Sequence, residues 1–368
     1  MKESLRLGVI GLGNMGRQHA RAVATGLIPR TTLAAVCDAD PQRLAEFPQA
    51  ARFTSSAEML ASGTIDAVVI ATPHYSHTSL GIAALRAGLH VLVEKPISVH
   101  AADARRLLAA RRGRRQVFAA MLNQRTDPYY LKIRDLIRSG RLGRIQRVNW
   151  IITTWFRSDA YYASGGWRAT WAGEGGGVLL NQAPHNLDLF CWLFGRPMRV
   201  RAHCHFGKHH AIEVEDEVTA WCEFAGGATG VFITSTGEAP GTNRLEITGD
   251  RGRLVYENDR VEFIRTAVPV SQFRRRTKEL FATPKTTTRV FTAKDHGGQH
   301  NAILANFAAA ILDGAPLIAP AAEGLASVEL ANAMLMSTWL DRTIELPIDA
   351  RRYARLLRER IRLSPSHP

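Results

Sequence analysis

The sequence predicts an α/β protein of two domains, a parallel sheet flanked by helices and then an α+β domain with an open, mostly antiparallel sheet. Short apolar strands alternate with amphipathic helices from Leu5 to about Met121, which is the pattern of βαβ units. Longer strands of alternating polarity follow. At 368 residues the chain can bury two cores. We place the domains at residues 1–124 and 125–368.

The first predicted strand, Leu5 to Ile10, runs into a glycine-rich turn that precedes a helical pattern. The glycines have G-x-G-x-x-G spacing, in which the first permits a tight turn and the second leaves room for a pyrophosphate. The third lets the helix pack closely, and the free N–H groups at the helix start favour an anion. This context predicts a doubly wound Rossmann sheet that binds a dinucleotide. The predicted contacts are Gly11, Leu12, Gly13, Asn14, Met15 and Gly16.

The second strand supplies the acidic partner of this motif. It runs from Leu33 to Asp38, about twenty residues beyond the last glycine, where a carboxylate can accept from the ribose hydroxyls. The carboxylate favours NAD over NADP, because a 2′-phosphate would be repelled. Arg43 is close enough in sequence to leave dual use open. The alternative role for Asp38 is to cap the helix that begins at Pro41.

Two further strands of the first domain end in polar residues. Strand Ile65 to Ala71 leads into a loop beginning at Thr72, and strand His90 to Glu94 leads into Lys95. Ligands collect outside the carboxyl ends of such strands, so these segments are expected to face one crevice. A lysine there can exchange a proton with a substrate oxygen if its surroundings lower its pKa; the alternative is a surface lysine. The further predicted cofactor contacts are Thr72, Pro73, His77, Glu94, Lys95 and Asn123.

The second domain is predicted from long strands with alternating patterns and from an irregular stretch between two of them. The strands are Ile145 to Phe156, Val200 to Phe206, Glu217 to Phe224 and Thr229 to Ser235. The stretch 165–177 is rich in glycine and tryptophan and is interpreted as a binding loop. The helix-like segment 178–194 follows, interrupted by a proline. In it Asn181, His185 and Asp188 recur at helical spacing, which predicts one polar face, either catalytic or simply hydrogen-bonded in the interior.

Three motifs in this order resemble the Gfo/Idh/MocA oxidoreductase family: the glycine turn, Glu94-Lys95-Pro96, and the run from Gly175 through Asn181 and His185 to Asp188. The resemblance covers almost the whole chain, including a C-terminal helix from Glu323 to Trp339. It implies an N-terminal Rossmann domain and a C-terminal open sheet. It also implies NAD(P)-dependent oxidation or reduction of a sugar, glycoside or inositol carbon, with Lys95 and His185 as catalytic residues.

One position departs from the family pattern. Many members carry aspartate where this chain has Asn181, and an amide can hydrogen-bond substrate but cannot ionise. Restoring aspartate there is expected to leave a working enzyme with a shifted pH profile. The sequences around Asn181 and from Val231 to Asn243 are similar to a branch with glycoside 3-dehydrogenases and levoglucosan dehydrogenase.

Composition narrows the classes of partner. The net charge is +14 and arginines cluster near residues 111, 274 and 351, but no nucleic-acid-binding motif contains them. No segment has the apolar length of a membrane span, and the first apolar run is too short for a signal peptide. The four cysteines are widely spaced, so we expect reduced thiols in a cytoplasmic protein. The histidines from His203 to His210 could form a metal site, but we predict no metal because no matching ligand cluster is evident.

We therefore predict a cytoplasmic, homo-oligomeric, NAD-dependent dehydrogenase that oxidises a ring hydroxyl of a sugar, glycoside or inositol. Its partner is a small molecule rather than nucleic acid or membrane. Lys95 and His185 are expected to share the proton transfer. The predicted substrate-positioning and pocket residues are Asn181, Asn123, Asp188, Trp155, Trp167, Arg168 and His300. The alternatives are a reductase of another carbonyl and a regulator of the same fold that binds dinucleotide without turnover.

Overall fold

The computed structural model describes residues 3–113 and 115–364, beginning with a six-stranded parallel sheet. Its strand order is β3-β2-β1-β4-β5-β6, as predicted for a doubly wound domain. The strands are β1 (Leu5–Ile10), β2 (Thr31–Cys37), β3 (Ala51–Phe53), β4 (Ala67–Ile70), β5 (His90–Val93) and β6 (Phe118–Ala120). The helices are α1 (Asn14–Ala24), α2 (Pro41–Leu44), α3 (Ser56–Ala61), α4 (His74–Arg86) and α5 (Ala101–Ala109).

The strand order changes direction between β1 and β4, which places a crevice at their carboxyl ends. Every residue of β4 is buried, as expected for a strand covered by helices on both faces. The glycine turn follows β1, Thr72 follows β4 and Lys95 follows β5, so the three predicted segments lie along one edge of the sheet. The site is therefore built where the sheet topology provides a cleft.

The second sheet has nine strands and is antiparallel except where β10 pairs with β7. Its order is β14-β13-β12-β11-β7-β10-β9-β8-β15, which agrees with the predicted open, mostly antiparallel sheet. The strands are β7 (Ile145–Ile152), β8 (Pro197–Phe206), β9 (Glu215–Phe224), β10 (Thr229–Ser235), β11 (Asn243–Gly249), β12 (Gly252–Glu257), β13 (Arg260–Thr266), β14 (Thr286–Phe291) and β15 (Ile344–Glu345).

Helices cover one face of this sheet. Phe232 is fully buried there between Trp150 of the neighbouring strand and Phe190. The opposite face carries the exposed His203 and His205. The helices of this part of the chain are α6 (Pro128–Arg138), α7 (Asp159–Ala163), α8 (Pro184–Phe194), α9 (Val270–Arg276), α10 (Gln299–Leu312), α11 (Gly324–Trp339) and α12 (Ala350–Arg362), with 3-10 turns at Asn123–Thr126 and Ala321–Glu323.

The C-terminal half returns to complete the first core. Ile303, Leu304 and Phe307 of α10 are buried in the same apolar cluster as the strands of the parallel sheet. The backbone N–H of Ala120 donates to the Ala319 carbonyl at 3.0 Å, which extends the edge at β6. The core of the parallel sheet therefore includes residues far beyond residue 124, and the domain boundary at that residue stays a prediction.

The segment 178–194 differs from its prediction, because the helix begins only at Pro184. Proline lacks an N–H and fits the first turn of a helix, so residues 178–183 form turns instead. Asn181 therefore precedes the helix that carries His185 and Asp188, and the predicted single polar face is wrong. Across the described residues, no helix is both long and apolar enough to cross a membrane.

Candidate active site

The glycine turn has the geometry that a dinucleotide requires. Gly11 has φ +88°, and a Cβ there would lie 2.7 Å from the Ala71 carbonyl oxygen. A Cβ on Gly16 would overlap the Gly11 carbonyl, so this glycine permits close contact of helix and strand. Gly13 has no atom within 4 Å of a Cβ position, which leaves open space before the start of α1. The turn thus combines tight backbone packing with room for a phosphate.

Asp38 is fixed against this turn. Its Oδ2 accepts from the Leu12 N–H at 2.6 Å and its Oδ1 accepts from the Asp40 N–H at 2.9 Å. The side chain is 9% exposed, so one edge of the carboxylate remains available. Arg43 approaches Oδ2 at 3.5 Å and offsets part of the negative charge. The carboxylate is placed to accept from ribose hydroxyls, and a phosphate would meet both charges.

Lys95 reaches from the first domain to the second. Its Nζ donates to the backbone carbonyl of Asn181 at 2.7 Å. Burial lowers the pKa of Lys95, the charges of Glu94 and Glu174 oppose this, and Arg157 and Arg168 lower it further. The neutral amine, which is the form that can accept a proton, is therefore populated at lower pH than for a free lysine.

Glu94 lies beneath Lys95 in a buried polar group. Its Oε1 is 2.7 Å from His19 Nε2, and its Oε2 accepts from the Lys95 N–H at 3.0 Å. Burial acts to raise the pKa of Glu94, but the hydrogen bond to His19 and the nearby charges bring it to about 2. The His300 ring lies 5.7 Å from that of His19, and burial lowers the pKa of His300. Glu94 is therefore a fixed negative charge at the floor of the crevice.

Asn181 is held by its side-chain amide as well as by its backbone. The Nδ2 group donates to Glu174 Oε1 and to the Tyr161 hydroxyl at 3.2 Å. Glu174 is 1% exposed, and its Oε2 accepts from the Ala169 N–H at 2.8 Å. Burial raises the pKa of Glu174 to about 7. A buried carboxylate that titrates near neutrality therefore stands directly behind Asn181.

His185 lies at the start of α8 and is 9% exposed. Burial lowers its pKa to about 3, and the charge of Lys95 contributes to the shift. The imidazole is therefore neutral throughout the working range and can donate from one nitrogen and accept with the other. The lowered pKa makes His185 a weak base, and its share in the proton transfer with Lys95 stays a prediction.

The structure assigns Asp188 to Arg125 and not to His185. Both carboxylate oxygens accept from the guanidinium, at 2.8 and 2.7 Å, and both side chains are 2% exposed. Arg125 also pairs with Glu323. The predicted role of Asp188 in positioning substrate or His185 therefore has no geometric support, and the pair instead ties the 3-10 turn after β6 to α8.

His77 is likewise turned away from the crevice, in contrast to its predicted contact with cofactor. Its Nδ1 is 2.8 Å from the Pro96 carbonyl oxygen and its Nε2 is 2.7 Å from that of Thr72, with 1% of the residue exposed. The ring joins the loop after β4 to the turn after β5. It thereby fixes the turn that carries Lys95, and its cofactor contact stays a prediction.

The predicted border residues Trp155, Trp167 and Arg168 pack against side chains near Asn181 and against α8. Trp155 donates from Nε1 to the Asn186 side chain at 3.1 Å, and Trp167 packs edge-on against His74. The guanidinium carbon of Arg168 lies 4.7 and 4.8 Å from the ring centroids of Tyr161 and Trp167. Arg168 also donates to the Tyr161 hydroxyl at 2.9 Å. Trp167 and Arg168 are partly exposed, so they form the rim of the crevice.

Buried polar atoms support a bound NAD. Thr72 Oγ1, Asn123 Oδ1 and His185 Nδ1 have no hydrogen-bond partner in the part of the chain that the structure describes. Asn123 is otherwise fixed, because its Nδ2 donates to Gln299 Oε1 at 2.7 Å. Such atoms are costly unless a ligand pairs with them. Together with the space at Gly13, they fit a dinucleotide in this crevice.

The histidine-rich segment does not form a metal cluster within residues 3–113 and 115–364. No group of three or more His, Cys, Asp or Glu side chains there is arranged to hold a metal. His209 Nε2 lies 2.9 Å from Glu217 Oε2, and His210 Nδ1 lies 3.1 Å from Asp159 Oδ1. Each histidine therefore forms a hydrogen-bonded pair with one carboxylate.

Sequence reasoning missed Glu174, Tyr161 and His19. Glu174 is the one acidic residue in the glycine-rich stretch 165–177, and that isolation was the available signal. Tyr161 lies on a short helix of no marked pattern, and His19 lies on the buried side of α1. Their roles depend on which way each side chain points, and the motif spacing does not encode this.

Comparison with known families matches both parts of the chain. Residues 5–121 match the model of an oxidoreductase family with an NAD-binding Rossmann fold, GFO_IDH_MocA. Residues 130–255 match the GFO/IDH/MocA C-terminal domain. The two matches adjoin and follow the order of the two sheets.

Individual relatives align over most of their length. Inositol 2-dehydrogenase of Rhizobium meliloti (strain 1021) is 28% identical over 357 residues, covering 93% of this chain and 99% of that protein. Levoglucosan dehydrogenase of Pseudarthrobacter phenanthrenivorans is 26% identical, covering 74% and 79%. The crystal structure of the WlbA dehydrogenase from Bordetella pertussis in complex with NADH and UDP-GlcNAcA is 27% identical with a TM-score of 0.80, covering 94% and 100%.

Proposed function

We propose that this chain, which belongs to the Gfo/Idh/MocA family of NAD-binding oxidoreductases, oxidises a ring hydroxyl of a neutral sugar, glycoside or inositol to the ketone. One observation carries the proposal. Lys95 from the parallel sheet contacts Asn181 from the second domain at 2.7 Å, beside the crevice at the glycine turn. A proton acceptor and a dinucleotide site thus share one cleft, which is what dehydrogenation of an alcohol requires.

The protonation states of Lys95 and His185 give these residues different roles. NAD, held by the glycine turn and Asp38, supplies the hydride acceptor when it is bound. Neutral Lys95 accepts the hydroxyl proton of the substrate as the carbon is oxidised, and burial makes that neutral form available. His185 stays neutral and positions a substrate oxygen by a hydrogen bond. Catalysis therefore falls mainly on the lysine.

The side chains at the rim of the crevice indicate the class of substrate. Trp155 and Trp167 provide aromatic surfaces that suit the apolar face of a sugar ring, while Asn181 and His185 offer hydrogen bonds to hydroxyls. Arg168 already stacks on two rings and donates to Tyr161, so it is not a free carboxylate clamp. These features favour a neutral polyol, the class named for the inositol and levoglucosan relatives.

A second candidate is an acidic sugar derivative. Arg157 and Arg168 both lie near enough to Lys95 to lower its pKa, so two guanidinium groups stand near the crevice beside the carboxylates of Glu94 and Glu174. The WlbA relative was crystallised with UDP-GlcNAcA. A substrate carboxylate is therefore the alternative against which the neutral class is tested.

The test is a substrate scan that follows NADH formation by absorbance. The panel contains inositols, free monosaccharides, glycosides and an anhydrosugar, with uronic acids and nucleotide-linked sugar acids as the second arm. We expect a neutral compound to give the highest kcat/KM with NAD. A wide preference for an acid supports the second candidate, and no turnover with either arm contradicts a dehydrogenase of this class.

We also propose a cytoplasmic homo-oligomer. The four cysteines are free thiols, which is consistent with a reducing compartment. The outer face of the second sheet exposes Trp221 to 39% and carries partly exposed Val231 and Ile233 beside it. Such a face suits association between copies of the chain. Light scattering with a Trp221→Glu variant tests this assignment, because a charge on the face should lower the oligomer mass.

A further inference from the structure

We propose that Glu174 is a positioning residue that orients the Asn181 amide, so that its Oδ1 faces the crevice and accepts a hydrogen bond from a substrate hydroxyl. The pair of side chains would replace the single aspartate found in many family members. The inference rests on the proposed function, because it assigns a role within that same site. It makes Glu174 a determinant of substrate binding although Glu174 itself is buried behind Asn181.

The argument begins with the donors of Asn181. Both of the hydrogen bonds made by Nδ2 point inward, to Glu174 Oε1 and to the Tyr161 hydroxyl. An ionised carboxylate can only accept, so it fixes which end of the amide faces it. Within residues 3–113 and 115–364, Asn181 Oδ1 accepts no hydrogen bond, and the residue is only partly buried. The acceptor oxygen is therefore the end left for a ligand.

Glu174 is itself held in one orientation. Its Oε2 accepts from the Ala169 N–H at 2.8 Å, so Oε1 is directed to Asn181. The Glu174 carbonyl oxygen is 3.2 Å from His74 Nδ1, and this contact anchors its backbone. A side chain that is 1% exposed and bonded at both oxygens is preorganised for this role. An aspartate at position 181 would place a negative charge at the crevice. Here that charge is on Glu174, which lies behind the Asn181 side chain.

Protonation of Glu174 reverses the arrangement. Burial raises its pKa to about 7, so the carboxylate is ionised above that pH and becomes an acid below it. A carboxylic acid donates, and its natural acceptor is Asn181 Oδ1, so the amide would turn and present Nδ2 to the substrate. Substrate affinity should therefore fall as the pH decreases through about 7.

Several charged and titratable groups surround Glu174. Arg168 and Lys95 favour its ionised form, whereas burial opposes it more strongly. Glu215 lies near enough that the Glu174 charge raises its pKa, and burial brings the pKa of Glu215 to about 7 as well. The remaining groups that face Glu174 are His74, Tyr161 and Tyr162.

Glu215 provides the matched control. It is 0% exposed and its Oε1 accepts from the Leu179 N–H at 3.0 Å, and no hydrogen bond joins it to Asn181 in the described part of the chain. Glu174→Gln and Glu215→Gln each remove one buried titrating carboxylate. Only the first should change how the substrate is bound.

The experiment compares pH profiles of kcat and KM for the panel compound that is oxidised fastest. Glu174→Gln offers one oxygen to two donors, Ala169 N–H and the Asn181 amide, so it should raise KM about tenfold with a smaller change in kcat. It should also abolish the acidic limb of kcat/KM near pH 7. Glu215→Gln should keep that limb. An unchanged KM and an unchanged limb in Glu174→Gln would overturn the proposal.

A double substitution tests the pairing directly. Asn181→Asp alone places two carboxylates in contact, so it should bind substrate more weakly than the unmodified enzyme. The double variant Asn181→Asp with Glu174→Gln again pairs one carboxylate with one amide, but the carboxylate is now at position 181 and the amide at position 174. It should bind substrate more tightly than Asn181→Asp alone. A double variant no better than Asn181→Asp contradicts the inference.

Failure of the proposed function is distinguishable from failure of this inference. If no panel compound is oxidised, the proposed function fails, and infrared spectroscopy of the protein with NAD then decides the role of Glu174. Glu174 and Glu215 should each give a carboxylic-acid band that titrates near pH 7, so the diagnostic signal is a change in an asparagine amide band over the same pH range. That amide change should be absent from Glu174→Gln and present in Glu215→Gln. Persistence of the amide change in Glu174→Gln refutes the rotation.

Discussion

Replacing Lys95 by methionine removes the amine that donates to the Asn181 carbonyl at 2.7 Å, while keeping a long unbranched side chain. A positioned base is typically worth about 10² to 10⁴ in rate, or about 2.7 to 5.4 kcal/mol of transition-state free energy. The lost hydrogen bond from a charged group contributes about 1.5 to 3 kcal/mol to orientation of Asn181. We therefore expect kcat to fall at least a hundredfold.

Lys95→Arg separates the two contributions. Arginine keeps a cationic donor for the Asn181 carbonyl, but it cannot lose its proton at working pH. If Lys95 only held Asn181, the arginine variant would stay active. If Lys95 is the base, Lys95→Arg should lose kcat about as severely as Lys95→Met. Affinity for NADH, measured by fluorescence, should be nearly unchanged in both variants because the glycine turn and Asp38 are intact.

The assay measures NADH formation with the preferred substrate deuterated at the reacting carbon. A primary isotope effect shows that chemistry limits kcat. We expect kcat to rise with pH to a plateau, and a midpoint of this rise below pH 10.5 reports the lowered pKa of Lys95. His185→Ala should also reduce kcat, and the double variant should be little worse than Lys95→Met alone. Lys95→Met with most of its kcat under these conditions would refute the mechanism.

Three other predictions follow from local geometry. Asp38→Ser should weaken NAD binding about 10- to 100-fold and relax the preference over NADP, and equal kcat/KM for both cofactors in the unmodified enzyme would refute the assignment. The methyl group of Gly13→Ala would enter open space, so this variant should lower NAD affinity with little change in melting temperature. The methyl group of Gly16→Ala would overlap the Gly11 carbonyl, so that variant should lower the melting temperature itself. Equal losses of stability in the two variants would contradict this assignment. Asp188→Ala removes the two-oxygen partner of the buried Arg125 and leaves the half-exposed Glu323 as its remaining carboxylate, so it should cost about 3 kcal/mol in urea unfolding. A double variant with Arg125→Met and Asp188→Leu should lose less, and a loss below about 1 kcal/mol in Asp188→Ala would contradict the pairing.

The sequence predicted correctly the location of those residues that are placed by the local backbone. The glycine turn, Asp38 and Lys95 each follow a strand directly, so their position relative to the sheet is fixed by the chain itself. Strands of the parallel sheet and four strands of the second sheet were predicted from polarity patterns in the same way, whereas the strands after Ser235 were not predicted. These features are local, and motif spacing is a reliable guide to them.

Residues whose role depends on side-chain direction were harder to predict. Asp188 was expected near His185, but it points to Arg125, and His77 points to two carbonyl groups. Asn181 and Glu174 are seven residues apart across irregular turns, so no periodicity joins them. The structure also changes the expectation for Asn181→Asp, because the added carboxylate would contact Glu174.

The return of α10 to the first core has a consequence for biosynthesis. All six strands of the parallel sheet have been made once the chain reaches Ala120, but the apolar residues that close their core arrive only with Gln299–Leu312. A nascent chain must therefore keep an open apolar surface on its first domain until synthesis is nearly finished. A prematurely terminated product therefore carries the entire glycine turn on a sheet whose core is not yet covered.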